Sequence, residues 1–159
     1  MSDNGIAEGR IEEWLEGLPT SLVDRVSHVD AEAEHRNYKV TSGGLSVNVI
    51  QTRPRDPIKV GTNVTFGEQL LAAIHDQRDR FVAEISSVLT NSSGIHVFTE
   101  NGNKPDDEAD FDGITLRYWI YPDGATQHEL NNAVMDQLMQ AQYIRDTAKR
   151  IAREPDILR

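Results

Sequence analysis

Hydrophobic residues alternate with polar ones between residues 58 and 66, and they recur at helical spacing from residue 70 to residue 89. The alternating set is Ile58, Val60, Val64 and Phe66, and the helical set is Leu70, Leu71, Ile74, Phe81, Val82, Ile85, Val88 and Leu89. Alternation predicts a strand, and the second pattern predicts a helix directly after it. Each element has one apolar face, so we expect the rest of the chain to cover these two surfaces.

The chain before this strand predicts a short helix and a β-hairpin. Apolar residues at helical spacing precede Pro19, and they are Ile6, Ile11, Trp14, Leu15 and Leu18. Alternating runs around Tyr38 and Val47 flank the turn sequence Ser42-Gly43-Gly44, which is typical of a hairpin. With the strand at 58–66, the hairpin predicts an antiparallel meander. The stretch from 20 to 35 fits neither period and permits a weak strand or a loop.

The chain after residue 66 predicts a divided helix, two strands and a long helix. Asp76 and Asp79 resemble a second helix cap, which indicates helices at 67–74 and 77–90 with a break near His75. Strands are predicted at 95–99 and 114–120, separated by an exposed acidic loop at 101–113. Thr126 and Glu129 form a capping box that opens a helix ending before Pro155.

These elements predict an α+β fold with an antiparallel sheet of about five strands, in the order α-β-β-β-α-β-β-α. The chain has 159 residues, of which 38% are hydrophobic, a size that suits a single domain. We therefore expect one domain at 6–154, with loose termini at 1–5 and 155–159.

Net charge limits the classes of partner. The formal charge is −10 and the isoelectric point is near 4.9, so nucleic-acid phosphates and anionic membranes would be repelled over most of the surface. Cysteine is absent, no apolar run reaches membrane-spanning length, and the first residues lack the pattern of a secretory signal. We expect a cytoplasmic protein. Twelve Arg against four Lys, with many acids, favours adaptation to a salty cytosol over an ordinary acidic protein.

Candidate chemistry is sparse. The five histidines show neither HxH nor HxxxH spacing, and there is no GxGxxG or GK[ST] phosphate-binding pattern. The acidic loop 101–113 imitates the start of a calcium loop, but Trp119 occupies the position of its closing acid. We therefore predict no catalytic residue, cofactor or metal. The alternative is an enzyme that uses His75, His96 or His128 with the acidic loop.

Apolar residues beyond the core predict a contact surface. Trp119 and Tyr121 alternate with Leu116 and Tyr118, so they lie on the opposite face of their strand. The central helix also has more apolar positions than one stripe requires. Aromatic residues on a second face are typical of protein contacts. The partner-binding residues predicted are Leu71, Val82, Trp119 and Tyr121, and we expect a protein partner and a homodimer. Terminal helices that cover both faces would explain the same pattern.

One long segment resembles a known family. It comprises LSVNVIQTRPRDPIKVGTNVTFGEQL and RDRFVAEISSVLTNSSGIHVF, with Ile58, Val60, Val64, Phe66, Arg78 and Phe81 at the recurring positions. It is similar to an archaeal family of small domains of unknown function in the type III secretion chaperone-like fold group, which includes YbjN-like proteins. The resemblance spans about Trp14 to Tyr143 and implies a two-layer α+β domain, often dimeric, whose relatives bind protein segments. It implies no catalytic residue, because the recurring positions are core positions.

Overall fold

The computed structural model describes residues 5–6, 9–28, 36–90, 94–101 and 111–154. Within these residues the helices are α1 (Arg10–Glu16), α2 (Glu68–Asp76), α3 (Arg78–Thr90) and α4 (Gln127–Arg153). The strands are β1 (Arg25–His28), β2 (Arg36–Ser42), β3 (Leu45–Gln51), β4 (Ile58–Thr65), β5 (Ile95–Thr99) and β6 (Gly113–Ile120). A single turn of 3-10 helix, Pro122–Gly124, precedes α4. The predicted α+β class is confirmed.

The strands form one antiparallel sheet in the order β1-β2-β3-β4-β6-β5. The first four strands are a meander, in which β2 and β3 pair from Ser42 opposite Leu45 to Arg36 opposite Gln51. Gly43 and Gly44 both have positive φ, 56° and 80°, as a tight hairpin turn requires. The predicted hairpin and meander are therefore confirmed.

The sheet has six strands where the sequence predicted about five. The additional strand is β1, which lies in the stretch that fitted neither period and pairs with β2 through Val26 opposite Val40. It has four residues and forms the edge of the sheet, so pairing with a neighbouring strand stabilises it more than its own pattern does. The observed order is α-β-β-β-β-α-α-β-β-α.

The described chain divides into two compact units. Unit 1 comprises residues 1–62 and 117–138, and unit 2 comprises residues 63–116 and 139–159. Unit 1 has a core in which α1, the first part of α4 and one face of the sheet bury their apolar side chains. Its fully buried members include Ile11, Leu15, Val40, Val47, Val49, Ile58, Val60, Ile120, Leu130 and Val134. The prediction of a single domain at 6–154 is not tested by this division.

Unit 2 has an aromatic interior. Phe81 is fully buried, meets Phe66 edge-on with ring centroids 5.8 Å apart, and stacks against Phe111 at 6.1 Å. Phe98 contacts Phe111 at 4.9 Å, so all four phenylalanines of the chain belong to this cluster. Phe111 is 1% exposed, which shows that the predicted exposed loop at 101–113 is wrong at its end. The apolar side chain is buried while its acidic neighbours at 102–110 lie outside the described residues.

The predicted division of the central helix and the start of the last helix are confirmed, but the predicted second cap at Asp76 is wrong, because Asp76 is the last residue of α2 and α3 begins at Arg78. Gln77 separates α2 from α3, and its side-chain amide donates to the carbonyls of Ile151 and Glu154. The break therefore lies within two residues of His75. The Glu129 N–H donates to the Thr126 hydroxyl at 3.1 Å, as expected of a capping box at the start of α4. Ile6 does not join α1, which begins at Arg10, but it is buried and donates its N–H to the Pro54 carbonyl.

Candidate functional site

In unit 1 the strands bury one face and leave the other open. Along β4, Ile58 and Val60 are buried while Lys59 between them is exposed. The face that carries Lys59 is here called the outer sheet face. Its positions in unit 1 with described side chains are Ser27, Asn37, Lys39, Thr41, Ser46, Asn48, Ile50, Lys59, Gly61, Arg117, Trp119 and Tyr121. No acidic residue occupies any of them.

The charge of the strands is opposite to that of the chain. The six strands contain none of the 26 Asp and Glu residues, although the chain has a net charge of −10. Lys39, Lys59 and Arg117 are exposed on the outer sheet face. Within the described part of the chain, no ion pair involves any of these three cations. The outer sheet face is therefore a positively charged surface on an acidic protein.

Aromatic residues lie beside these cations. Two hydrogen bonds give the antiparallel register of β4 and β6, from the Phe66 N–H to the Asp112 carbonyl at 3.4 Å and from Thr115 Oγ1 to Asn63 Oδ1 at 2.6 Å. Continued along both strands into unit 1, this register places Trp119 opposite Lys59, where cross-strand Cβ atoms are about 5 Å apart. Trp119 is half-buried and Tyr121 is 69% exposed. The face thus offers aromatic rings next to ammonium and guanidinium groups.

The other side of β6 is fixed within unit 1. The Tyr118 hydroxyl donates to the Glu129 carboxylate at 3.4 Å, which connects the strand to the first turn of α4. Burial raises the pKa of Tyr118, and the negative charge of Glu129 raises it further. Tyr118 therefore stays neutral at physiological pH and keeps its proton for this bond. The strand that presents Trp119 is held in place by a side chain on its buried face.

Leu71 and Val82, the other two predicted contact residues, belong to unit 2. Both are half-buried, whereas Phe81 and Ile85 in α3 are fully buried. Two residues advance a helix by about 200°, so Val82 lies on nearly the opposite flank of α3 from Glu84. The four predicted residues are thus divided into two pairs, with Trp119 and Tyr121 together on the outer sheet face.

The Glu84 flank of α3 meets α4 through ion pairs. Glu84 binds Arg80 at 3.3 Å and also Arg150, and Arg80 binds Glu154 at 2.6 Å. The Arg150 hydrogen bond lowers the pKa of Glu84, and the hydrogen bond to Glu154 raises the pKa of Arg80. Tyr143 donates its hydroxyl to the Glu84 carbonyl at 3.4 Å. We call this set the α3–α4 ion cluster, and its charges neutralise one another.

The histidines proposed for an enzyme have other contacts. His75 Nε2 lies 3.0 Å from the Phe111 carbonyl, and its ring packs against the Phe111 ring. His96 meets Phe98 edge-on, and His128 lies 3.0 Å from the Asn132 side-chain amide. Among the residues that the structure describes, no group of three His, Asp or Glu side chains could hold a metal ion. The three histidine rings therefore contact a carbonyl, a phenylalanine ring and an amide in these interactions, and none of these partners is a carboxylate.

The cations of the outer sheet face were missed by the sequence analysis. The signal was present, because Lys39, Lys59 and Arg117 each occupy a polar position in a predicted strand that has no acidic residue. Net charge concealed it, because an average over the whole chain hides a local excess of the opposite sign. The outward position of Trp119 and Tyr121 was predictable because they alternate with Leu116 and Tyr118, and their role in binding stays a prediction.

Comparisons with known proteins identify the family. A sequence profile of DUF2299, described as an uncharacterised conserved protein, matches residues 7–145, so the chain belongs to this family. The fold is similar to the crystal structure of an uncharacterised protein from Methanothermobacter thermautotrophicus, with a TM-score of 0.66 and 14% sequence identity over 91% of this chain and 98% of that one. No curated protein matches. None of the helices in the described ranges has the length and apolar character needed to cross a membrane.

Proposed function

We propose that this protein is a non-enzymatic protein-binding module with chaperone-like or adaptor behaviour. The observation that carries the proposal is the exposure of aromatic side chains on a sheet face, with Tyr121 69% exposed beside the half-buried Trp119. Tyr and Trp dominate the binding energy of many protein interfaces, because they bury a large area with few rotatable bonds. Apolar residues gathered on one exposed face mark interaction sites, whereas single exposed ones do not.

The fold supports the same proposal. The observed order differs from helix, three strands, helix, two strands and long helix, the order of the type III secretion chaperone-like group, by the additional strand β1 and the divided central helix. We propose that the chain belongs to this group. Relatives with this fold bind protein segments, so an exposed sheet or helix surface is the expected binding site. We further propose that the protein acts in the cytoplasm of a salt-rich cell, on the evidence of its acidic composition and its ratio of Arg to Lys.

Self-association is proposed through the helices of unit 2. Leu71 and Val82 remain half-buried after Ile74, Phe81 and Ile85 have filled the core. A two-fold pair is the commonest way for soluble proteins to cover such residues. The outer sheet face is unsuited to this role, because a two-fold pair would bring two sets of unpaired cations together. The homodimer is therefore proposed to use the flank of α3 that carries Val82.

Matched tyrosine variants test the binding function. Tyr121→Ala removes an exposed ring from the outer sheet face, and Tyr143→Ala removes another exposed ring, on α4, as the control. A photo-crosslinking side chain at position 121 should capture polypeptides in the native cell, and the same group at position 143 should capture far fewer. Equal capture at both positions, or none at either, would contradict the proposal. The contacts of His75 with a carbonyl and of His128 with an amide support a binding function over the enzyme alternative.

A further inference from the structure

We infer that the outer sheet face binds an acidic polypeptide segment in extended conformation. The inference rests on the proposed binding function and names the chemistry of its partner. Lys39, Lys59 and Arg117 supply the positive charge, and Trp119 and Tyr121 supply the apolar contact. The partner is a segment in which an aromatic or aliphatic side chain lies beyond a pair of carboxylates, on the same side of the extended chain.

The charges of the face carry the first step. The cations of the α3–α4 ion cluster, Arg80 and Arg150, have carboxylate partners within the protein. Among the residues that the structure describes, Lys39, Lys59 and Arg117 have no ion-pair partner and no acidic residue shares their face. In a chain with 26 acidic residues, unpaired cations gathered on one surface attract an external anion. Complementary charge also orients the partner before contact is made.

The spacing of these groups suits an extended chain. Lys39 is opposite Asn48 across β2 and β3, and Lys59 is opposite Ile50, one row of outward-facing residues away. Strands lie about 4.8 Å apart and alternate residues about 6.8 Å apart, so the two lysine Cα atoms are about 12 Å apart. Three to four extended residues span roughly this distance. Two carboxylates about four residues apart on one side of an extended chain can therefore reach Lys39 and Lys59, and an apolar side chain beyond the second carboxylate can contact Trp119, because β6 is the next strand after β4.

Two other occupants fit the charges less well. A second copy that used the same face would oppose cations with cations, and one that used a different face would give a ring or an open chain of copies instead of a simple pair. A nucleic acid has one phosphate per nucleotide, and its flanking phosphates would meet a protein whose net charge is −10. A short acidic segment places its charge only where the cations are. The observations therefore favour a polypeptide.

Trp119 itself provides the measurement. The chain has two tryptophans, so Trp14→Phe leaves Trp119 as the single fluorescent reporter on the outer sheet face. The acidic probe is a short synthetic peptide with two Glu residues four positions apart, a Phe two positions beyond the second Glu, and Ser elsewhere, so that all three side chains share one side of the extended chain. The neutral probe has Gln in place of the acids, and oligouridylate serves as the nucleic-acid probe. Titrations run at low ionic strength, because salt screens exposed charges.

Charge reversal tests the inference on the full-length protein. Lys59→Glu should weaken binding of the acidic probe about tenfold, because it replaces attraction with repulsion beside Trp119. Lys149→Glu is the matched control, because Lys149 is exposed on α4 and changes the net charge equally. It should leave the affinity nearly unchanged. If Lys59→Glu impairs folding, as judged by circular dichroism, Lys39→Glu replaces it. A basic probe, with Lys in place of the acids, should bind the double variant Lys39→Glu/Lys59→Glu better than the wild type.

Four results would overturn the inference. The first is no binding of the acidic probe, and the second is a loss of affinity from Lys149→Glu equal to that from Lys59→Glu. The third is tighter binding of oligouridylate than of the acidic probe. The fourth is that the neutral probe binds as tightly as the acidic one and that Lys59→Glu does not change its affinity. The last result rejects the acidic partner but leaves the binding function intact. Failure of every probe together with equal crosslinking at positions 121 and 143 rejects both the acidic partner and the binding function.

Discussion

The outer sheet face of unit 1 and the α3–α4 ion cluster of unit 2 use cations in different ways. In the cluster, Arg80 and Arg150 bind Glu84 and Glu154, so the charges are satisfied within the protein. On the outer sheet face, Lys59 lies beside aromatic rings, and none of the described acidic residues occupies that face. The difference teaches that charge at an internal contact contributes to stability, whereas the same charge without a partner is available for binding.

Aromatic residues divide in the same way. Phe81 and Phe111 are at most 1% exposed and pack against other rings in unit 2. Tyr121 in unit 1 is 69% exposed. Buried rings gain their full transfer free energy on folding, and an exposed ring gains it only when a partner covers it. Substitutions in the two regions should therefore separate stability from binding.

The largest expected effect is on the aromatic interior. Phe81→Ala should lower the free energy of unfolding by about 3 kcal/mol, because the fully buried ring leaves a cavity between Phe66 and Phe111. Leu116→Ala should cost about the same, within roughly 1 kcal/mol. Tyr121→Ala should change stability by less than about 0.5 kcal/mol. Urea denaturation checks all three, and an unchanged midpoint for Phe81→Ala would show that α3 has been placed the wrong way round.

The second prediction distinguishes the two surfaces by oligomeric state. Wild-type protein should sediment at twice the chain mass at high salt, where screening removes much of the repulsion between two copies of charge −10. Val82→Glu should give a folded monomer, because it places a charge on the proposed dimer surface. Trp119→Glu should remain a dimer. A monomer from Trp119→Glu, with Val82→Glu still dimeric, would assign self-association to the outer sheet face instead.

The third prediction concerns salt. If the acidic composition is an adaptation to a salty cytosol, the melting temperature should keep rising as potassium chloride is increased past the concentration that screens surface charge. Differential scanning calorimetry over that range checks it. Sodium chloride at equal ionic strength is the control for screening alone. A flat or falling melting temperature would remove the support for salt adaptation.

The smallest expected effect is on the α3–α4 ion cluster. Hydrogen bonding to Arg150 lowers the folded pKa of Glu84 below its ordinary value of 4.5, so the stabilisation is present above that value and is lost as pH falls through the folded pKa. Glu84→Gln should therefore cost about 0.5 kcal/mol at neutral pH, because the side chain is partly exposed, and the cost should shrink in acid. Melting curves across pH measure this difference. Lys59→Gln should show no such pH-dependent loss, and a similar loss there would contradict the contrast between the regions.

Periodicity was sufficient where one face of an element is buried. The hairpin around Gly43-Gly44, the division of the central helix near His75 and the cap at Thr126 follow from local residue choices, and the structure contains each of them. Local rules failed for β1 and for Phe111. Both depend on pairing with a distant part of the chain. Strand β1 pairs with β2, and the backbone N–H of Asp112, next to Phe111, donates to the Thr99 carbonyl.

Buried polar groups show the same limit. Gln137 is 3% exposed in α4, and its side-chain amide donates to the Val60 carbonyl at 2.8 Å. The polarity of glutamine alone would predict a surface position. Gln51 is fully buried and donates to the carbonyls of Pro54 and Asp56, which fixes the connection before β4. A polar side chain is buried only where a distant backbone group satisfies it. No local pattern contains that information.

The sequence by itself determined the α+β class, the central strand and helix, the long last helix and the outward position of Trp119 and Tyr121. These depend on which residues share a face, and the period of a strand or helix gives that directly. Only the tertiary structure decided that Lys39, Lys59 and Arg117 share a sheet face with Trp119 and that Arg80 and Arg150 meet carboxylates. Sheet order and helix packing bring together residues far apart in the chain, and the effect of a charge depends on the neighbours that the fold places beside it.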